Sequence, residues 1–358
     1  MPSHPRSQSD SLVKIQDLDH IFKYTEAVWE DLRGKRVFLT GGTGFFGCWL
    51  LPSFLDANAR LGLGARITVL TRNAEAFAGK MPEVAADPAI SFVTGDVRNF
   101  AFPDEKFDYV IHAATDASAK LNTEEPLKMI DVVAEGTRHA LEFTRHCGAR
   151  RFMLTSSGAV YGRLPAGMTH VSEDFMGGPD TLGHPVAYAE GKRFAEALTG
   201  IYSKTYGFES VVVRSFAVVG PYLPLDIHFA MGNFIRDGIN GDPIIVGGDG
   251  TPRRSYLYGA DLAIWLWVML FRGESCRAYN MGSDEAISIG ELAHLVAECF
   301  PHHVEVQIKG QPKPGQIDEW YVPSVERAKD ELGLAVHVGL RDGIRRTIDW
   351  YKERLGSA

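Results

Sequence analysis

The fold is decided by the stretch RVFLTGGTGFFG, residues 36–47, in which a short apolar run leads directly into three evenly spaced glycines. Gly41, Gly44 and Gly47 form the pattern GxxGxxG between a predicted strand and a predicted apolar helix. Such a turn needs backbone freedom, and a missing Cβ lets an anionic group approach the helix N-terminus. The last glycine lets the helix pack closely on the strand. The stretch therefore predicts a dinucleotide-binding loop with contacts from Gly41, Thr43, Gly44, Phe45, Phe46 and Gly47.

Downstream of this loop, β-branched or apolar runs alternate with segments long enough for crossover helices, such as 127–146 and 187–206. Unbroken apolar strands separated by helices indicate a parallel sheet that is covered on both faces. We therefore predict an α/β fold, a Rossmann-type doubly wound parallel sheet with a smaller C-terminal substrate-binding lobe. Pro52 is expected to bend or shorten the helix that follows the loop. The predicted strands cover residues 36–40, 66–71, 91–95, 109–114, 151–157 and 210–216.

Three segments follow from this pattern. Residues 1–33 are predicted to form a polar tail and a helix, and residues 34–215 the cofactor-binding domain. Glycine, proline and aspartate cluster in the later part of the chain, so residues 216–358 are expected to form mainly the substrate lobe, with some segments returning to the sheet.

Composition narrows the classes of function. The chain has 358 residues, a formal net charge of −8 and four scattered cysteines without a CxxC pair. A net-acidic chain has no overall field for nucleic acid or anionic lipid, and no apolar run is long enough to span a membrane. We expect a cytoplasmic protein with no nucleic-acid or membrane partner, and no metal site, because His302 and His303 lack the rest of a ligand set.

The residues after the second and third strands bear on the kind of dinucleotide. An acidic residue after the second strand typically holds the ribose 2′-hydroxyl of NAD, but this chain has Arg72 there, and a cation suits the 2′-phosphate of NADP. Asp96 and Val97 follow the third strand, where a carboxylate can accept a hydrogen bond from the adenine amine. The sequence predicts NAD or NADP as cofactor, with Arg72 favouring NADP.

Tyr188 and Lys192 form the only YxxxK in the chain, and residues four apart share one face of a helix. A nearby ammonium lowers the pKa of a phenol, so we expect Tyr188 to exchange a proton with an alcohol near neutral pH. Ser156 and Ser157 end a predicted strand at the carboxyl edge of the sheet, where ligands of such sheets bind. A hydroxyl there can hydrogen-bond the reacting oxygen.

With these pieces in place, the chain resembles the extended short-chain dehydrogenase/reductase superfamily, in the NAD-dependent epimerase/dehydratase group that modifies nucleotide sugars. The resemblance implies that Ser157, Tyr188 and Lys192 are the catalytic set, with Ser156 beside it. The motifs occur in family order: TGGTGFFG (40–47), GDVR (95–98), HAA (112–114), SSGAVYG (156–162), YAEGK (188–192), RSFAVVGP (214–221), GDGTPRRSYLYGADL (248–262) and YNMGS (279–283).

The same resemblance implies further contacts with cofactor and substrate. Ala113 and Ala114 would line the cofactor, and Arg254 would meet the pyrophosphate of the sugar nucleotide. Asn233 and His228 lie in the region expected to touch the nucleotide. Paired helices over 127–146 and 187–206 imply a homodimer. Further candidates are Asp116 and Ser118, as substrate-facing loop residues, and the pair Glu173 and Asp174, as a general acid or a helix-capping or solvated pair.

Two departures from the family restrict the chemistry. Nucleotide-sugar 4,6-dehydratases carry an Asp-Glu pair directly after the catalytic hydroxyl, and UDP-glucuronate decarboxylases a glutamate, whereas this chain has Gly158 and Ala159, which cannot move a proton. The phosphate clamp is also altered, because Ala217 replaces an asparagine and Lys313 an arginine that many relatives carry.

Several functions stay open at this point. The first is an epimerase or keto-sugar reductase that acts by hydride transfer on a nucleotide-activated sugar. The alternatives are a 4,6-dehydratase or decarboxylase with atypical acid–base residues, and, from another class, a catalytically idle NAD(P)-binding regulatory protein.

Overall fold

The computed structural model describes residues 13–115, 119–227, 229–313, 315 and 319–355. The strands are, in chain order, β1 Arg36–Thr40, β2 Arg66–Thr71, β3 Ile90–Thr94, β4 Tyr109–His112, β5 Arg151–Ser157, β6 Glu209–Ser215, β7 Val218–Val219, β8 Ile244–Val246, β9 Arg253–Arg254, β10 Leu257–Tyr258, β11 Arg277–Met281, β12 Ile287–Ser288, β13 Val306–Ile308 and β14 Trp320–Tyr321. The α-helices are α1 Ile15–Thr25, α2 Phe45–Leu61, α3 Ala74–Lys80, α4 Pro82–Ala86, α5 Ala119–Glu124, α6 Pro126–Cys147, α7 Ala187–Tyr206, α8 Ala230–Asn240, α9 Gly259–Arg272, α10 Ile289–Glu298, α11 Glu326–Leu332 and α12 Leu340–Leu355. Two 3₁₀ helices cover Glu26–Leu32 and Gly158–Tyr161.

The main sheet has seven parallel strands in the order β11-β6-β5-β4-β1-β2-β3, which confirms the predicted Rossmann-type doubly wound fold. All six predicted strands are present, with ends shifted by two residues at most. The seventh, β11, was not predicted as a strand and comes from the later part of the chain. Because the strands are parallel, their carboxyl ends lie at one edge, which brings the ends of β1, β4 and β5 together there.

Helices cover both faces of this sheet. On one face α2 and α9 pack together, and nearly every residue of α9 is buried, Trp265 and Trp267 among them. On the other face α6 and α7 pack against each other and α7 contacts β5. Helix α2 continues through Pro52, so the expected shortening is wrong: the buried residues around Pro52 hold the helix together although the proline has no N–H to donate.

The segment before the glycine loop is part of the same core. Helix α1 packs on α2 and α9, and the helix predicted within residues 1–33 is α1 followed by a 3₁₀ helix. Asp17, which is 1% exposed, accepts hydrogen bonds from Tyr258 (2.8 Å) and Arg346 (2.7 Å). His20 lies 3.1 Å from the Asp261 carboxylate. These contacts join the start of the chain to α9 and to α12 near its end.

Smaller sheets and helices follow β6. β14 and β12 flank β9 in a three-stranded sheet, which places Tyr321 beside Arg254 in register. Helices α8 and α10 pack together over the pair β8–β13. No helix among the described residues is long and apolar enough to cross a bilayer.

Candidate active site

The glycine loop is built by backbone rather than by side chains. Gly41 has a φ of +73°, and a Cβ there would lie 2.4 Å from the carbonyl carbon of Ala113. A Cβ on Gly47 would lie 1.8 Å from the carbonyl oxygen of Gly42, so only glycine lets α2 pack this closely. Gly44 is the N-cap of α2, and no side chain in the described ranges caps the helix, which leaves its first amides to an anion. The cradle therefore fits the pyrophosphate of a dinucleotide; Thr43, Phe45 and Phe46 are partly exposed beside it.

A buried chain of hydrogen bonds fixes the strand that faces this loop. Thr137 donates to the Val133 carbonyl (2.6 Å) and accepts from His112 Nε2 (3.1 Å), which leaves Nδ1 of His112 to accept from Thr40 (2.8 Å). Burial lowers the pKa of His112 to about 3, which keeps the ring neutral, as this arrangement requires. Thr40 in turn accepts from the backbone N–H of Ala114 (3.1 Å). Ala113 and Ala114 are thereby held against Gly41.

The residues expected at the adenosine end are close to each other. Arg98 donates to both carboxylate oxygens of Asp96 (2.9 and 3.0 Å), and this guanidinium lowers the pKa of Asp96 to about 2. The charge of Arg72 acts on the same carboxylate in the same direction, and the Arg72 side chain is exposed. Val97 is buried against Gly136 of α6. A ligand amine placed here would have to share the Asp96 carboxylate with Arg98, whereas the Arg72 side chain is exposed.

The structure brings Ser157, Tyr188 and Lys192 together at the carboxyl end of β5. Ser157 hydrogen-bonds Tyr188, and Lys192, which is 3% exposed, donates to Thr115 Oγ1 (2.9 Å) and to the Thr155 carbonyl (2.7 Å). The backbone N–H of Tyr188 donates to Asn122 (2.9 Å), which fixes the first turn of α7.

The expected tuning of the phenol by the ammonium is wrong in this structure. Lys192 Nζ lies 5.9 Å from the centre of the Tyr188 ring and points toward Thr115 and Thr155. Burial raises the pKa of Tyr188 to about 12, and the hydrogen bond from Ser157 offsets part of that effect. Burial also lowers the pKa of Lys192 to about 7, although the charge of Glu196 opposes this. Tyr188 therefore depends on Ser157, and on whatever binds beside it, to reach its charged form.

Ser156 faces a different network from Ser157, and the sequence reasoning missed it. Ser156 donates to Glu196 (2.5 Å), and Glu196 pairs with Arg214 (2.7 Å). Arg214 also donates to the hydroxyl of Tyr161 (2.9 Å), which donates to Asn280 (2.7 Å). These polar groups lie behind β5 and fix its carboxyl end. The spacing of Glu196, four residues after Lys192, is the signal that points to it.

A second group that sequence reasoning missed is Tyr321 of β14. Its hydroxyl lies 3.4 Å from Ser157 Oγ, although the two residues are 164 positions apart in the chain. The ring packs on Phe216, with centroids 4.7 Å apart. Nothing in the local sequence around Tyr321 indicates this contact, because it depends on how the small sheet is joined to the large one.

Arg254 and Asn233, the residues expected on the substrate side, are held by internal partners. Arg254 pairs with Glu319 and lies over the Tyr321 ring, 5.5 Å from its centre. Asn233 of α8 accepts from Arg236 (3.3 Å). Lys313 is exposed.

The other candidate residues from the sequence differ in their burial and in their contacts. Glu173 is buried rather than solvated and accepts from the Asn280 backbone N–H (2.7 Å), whereas Asp174 is exposed and pairs with Arg327 (2.6 Å). Glu173 thus belongs to the packing behind β5. Asp116, Ser118 and His228 lie outside the described residues. Within the described ranges, no group of three or more His, Cys, Asp or Glu side chains is placed to hold a metal ion.

Comparison with known proteins agrees with this architecture. The model of the NAD dependent epimerase/dehydratase family matches residues 37–282, and the chain belongs to that family, as the resemblance predicted. UDP-glucuronic acid decarboxylase 1 of Arabidopsis thaliana is 28% identical over 321 residues, which are 89% of this chain and 70% of the relative.

Solved structures agree as well. An epimerase from Methanothermobacter thermautotrophicus superimposes with a TM-score of 0.79 at 24% identity, covering 94% of this chain and 97% of that one. The UDP-glucose 4-epimerase of Thermus thermophilus, solved with NAD, gives 0.73 at 27% identity, covering 88% and 99%.

Proposed function

We propose that this protein is an NAD(P)-dependent enzyme that modifies a nucleotide-activated sugar by hydride transfer at a ring carbon, as an epimerase or a keto-sugar reductase. The observation that carries the proposal is the assembly of Ser157, Tyr188 and Lys192 beside a glycine cradle, with Gly158 and Ala159 directly after the serine. Of the two reactions we put epimerisation first, because the Thermus thermophilus relative is a UDP-glucose 4-epimerase.

The proposed roles follow from the contacts. A bound nicotinamide cofactor supplies the acceptor and donor of the hydride. Tyr188 removes the proton from the sugar hydroxyl as that carbon is oxidised, and returns it when the carbonyl is reduced. Ser157, which hydrogen-bonds Tyr188, donates to the same oxygen and stabilises its developing charge. Lys192, held by Thr115 and Thr155, presents its ammonium at the cofactor side of the phenol.

The cofactor would lie along the carboxyl edge of the sheet. Gly41, Thr43, Gly44, Phe45, Phe46 and Gly47 would hold its pyrophosphate, and Ala113 and Ala114 would line its path toward Tyr188 and Lys192, whereas Ser156, expected to line the cofactor, faces Glu196 instead. Arg72, Asp96 and Val97 would hold the adenosine end. The Thermus thermophilus relative was solved with NAD, whereas the exposed Arg72 favours NADP, so we propose that the chain accepts one or both of them. Arg254, released from Glu319, and Asn233 would bind the nucleotide of the substrate.

Decarboxylation is the second candidate, because relatives named UDP-glucuronic acid decarboxylase match nearly the whole chain. Oxidation next to a carboxylate-bearing carbon makes a β-keto acid, which loses CO₂ without a dedicated base. Ala159 therefore disfavours this reaction less than it disfavours dehydration. An idle binding protein is disfavoured because the hydroxyl, phenol and ammonium are all retained and assembled.

We also propose that the chain forms a homodimer through α6 and α7. These helices pack on each other and carry exposed apolar side chains, among them Leu127, Phe194 and Ile201, of which Leu127 is 78% exposed. Light scattering of the wild-type chain and of Ile201→Glu tests this: a dimer that the substitution dissociates supports the interface, and a wild-type monomer overturns it.

The function itself is tested by adding UDP-glucose, UDP-galactose, UDP-glucuronic acid and 4-keto-sugar nucleotides to the purified chain with NAD or NADP. An epimerase interconverts the first two sugars without net change in the reduced-nicotinamide absorbance. A reductase consumes the reduced cofactor with a keto-sugar, and a decarboxylase releases CO₂ from UDP-glucuronic acid. A chain that binds the cofactor but exchanges no hydride with any of them is the idle binding protein.

A further inference from the structure

Two neighbouring serines at the end of β5 fasten this strand to α7 at two points. Ser157 hydrogen-bonds Tyr188 in the first turn of the helix. Ser156 donates to the carboxylate of Glu196 (2.5 Å), which lies one turn after Lys192 on the same helix. The position of Tyr188 relative to Ser157 therefore depends on a second hydrogen bond, which lies outside the catalytic set.

The Glu196 carboxylate is held in one orientation. Its side chain is 15% exposed, and Arg214 of β6 donates to both of its oxygens, from Nε to Oε1 (3.1 Å) and from Nη2 to Oε2 (2.7 Å). Nη1 of Arg214 donates to the hydroxyl of Tyr161 (2.9 Å) and to the carbonyl of Glu173 (3.4 Å). Because the planar guanidinium is fixed on all sides, the carboxylate that pairs with it stays directed at Ser156.

The ammonium of Lys192 has neutral hydrogen-bond partners. It is 3% exposed and donates to Thr115 Oγ1 (2.9 Å) and to the Thr155 carbonyl (2.7 Å). His112 of β4, on which the charge of Lys192 acts, is neutral. Burial of an ammonium without a counter-charge favours the loss of its proton. The negative charge that opposes this loss is that of Glu196.

We propose that Glu196 is a positioning residue of this site, which acts through Ser156 on the end of β5 and through its charge on the ammonium of Lys192. This role rests on the proposed function and deepens it, because it adds the residue that keeps Lys192 charged. One carboxylate shared by Lys192 and Arg214 leaves one positive charge in excess near the catalytic phenol. That excess favours the charged form of Tyr188, which takes the proton from the sugar hydroxyl.

Two substitutions separate the two contacts of Glu196. Glu196→Gln removes the charge, whereas its amide oxygen can still accept a hydrogen bond from Ser156. Ser156→Ala removes the hydrogen bond and leaves the ion pair between Glu196 and Arg214 in place. An effect of the charge is thus seen in the first variant alone, and an effect of the hydrogen bond in the second.

The first measurement is the titration of Lys192 by NMR of the full chain with isotope-labelled lysine, its signal being identified by its absence in Lys192→Met. We expect the midpoint in Glu196→Gln to lie about one pH unit below that of the wild type, because an opposite charge has been removed. Ser156→Ala should leave it unchanged. Glu190→Gln is the matched control, since Glu190 lies on the same helix but is 28% exposed and faces Arg193 (3.6 Å).

The second measurement is turnover with UDP-glucose and NAD. Glu196→Gln should lower kcat about 10-fold at pH 8 and less than about 3-fold at pH 6, because the charged fraction of Lys192 differs most above the midpoint. Its KM should stay within about 3-fold of the wild type, since a group behind β5 does not touch the sugar. Ser156→Ala should lower kcat roughly 5-fold at both pH values, because it loosens the end of β5. Glu190→Gln should match the wild type.

A folded Glu196→Gln chain with the wild-type midpoint, or with equal losses of kcat at both pH values, overturns the role of Glu196. If that variant does not fold, Arg214→Gln decides. It leaves the carboxylate to Lys192 alone and should raise the midpoint, so a midpoint that stays or falls overturns the role as well. The titration needs no substrate. Inactivity with every sugar nucleotide therefore contradicts the proposed function, while the midpoints still decide whether Glu196 acts on Lys192.

Discussion

The two ends of the site are built in different ways. The proposed cofactor end is made of backbone: Gly41 and Gly47 closely approach Ala113 and Gly42, and within the described ranges no side chain caps the first turn of α2. The substrate end is made of side chains that converge from separate segments, with Ser157 in contact with Tyr188 and Tyr321. A backbone cradle recognises what all dinucleotides share, whereas converging side chains can be exchanged one at a time. We therefore expect the reaction to be determined by the side chains at the proposed substrate end.

The largest expected effect is at the substrate end. Tyr188→Phe should lower turnover by about 10³-fold, since it removes the group that moves the hydroxyl proton. Its cofactor affinity, measured by fluorescence quenching, should stay within about 3-fold of the wild type, because the cradle is separate. Tyr206→Phe, at the exposed end of the same helix, is the control. A Tyr188→Phe protein with wild-type turnover would sink the assignment of the catalytic set.

Substitutions in the glycine loop should lower the free energy of unfolding rather than remove a group that takes part in the reaction. Gly47→Ala places a Cβ 1.8 Å from the backbone oxygen of Gly42, so α2 or the glycine loop must shift. We expect a loss of about 3 kcal/mol in the free energy of unfolding, measured by urea denaturation. Gly200→Ala is the control: a Cβ there meets nothing within 4 Å, and a helical glycine-to-alanine change should be neutral or stabilising. A Gly47→Ala protein as stable as the wild type contradicts the close packing.

Lys192 lies between the two ends of the site, and its buried amine should make the free energy of unfolding depend on pH. The pKa of Lys192 in the folded chain is about 7, below the ordinary value of 10.5, so between these values the unfolded chain binds a proton that the folded chain does not. Wild-type stability therefore falls as the pH is lowered from about 10 to 7, and Lys192→Met abolishes this contribution. The difference in the free energy of unfolding between Lys192→Met and the wild type should therefore favour the variant more at pH 6.5 than at pH 10. The change between the two pH values should be on the order of a few kcal/mol. The exposed Lys204→Met should show no such dependence; an equal response from both variants argues against a buried, shifted Lys192.

The smallest expected effect concerns the choice of cofactor. Arg72→Ala should weaken NADP binding about 10-fold and leave NAD binding unchanged, since an exposed arginine meets only the 2′-phosphate. Isothermal titration with both cofactors measures this, with the exposed Arg66→Ala at the other end of β2 as the control. Equal losses for NAD and NADP would show that Arg72 does not discriminate between them.

The same contrast explains what the sequence could and could not predict. The glycine loop and six strands follow from local patterns whose physical reasons act over a few residues, whereas the grouping of Ser157, Tyr188 and Lys192 was implied by the family resemblance. Strand β11 was missed because it returns from the lobe, and Tyr321 because its position depends on pairing between β9 and β14. The sequence also could not predict the direction of the Lys192 side chain, because its hydrogen bonds to Thr115 and to the Thr155 carbonyl form only in the folded chain.

The clasp formed by Asp17 with Tyr258 and Arg346 has a practical consequence for protein engineering. Motif boundaries suggest cutting at residue 34, just ahead of the nucleotide loop. A chain trimmed there would lose α1 from the surface of α9, uncover an almost entirely apolar helix, and leave the Tyr258 hydroxyl buried without its acceptor. We therefore expect a fragment that folds on its own to include α1, with fusion partners joined ahead of that helix.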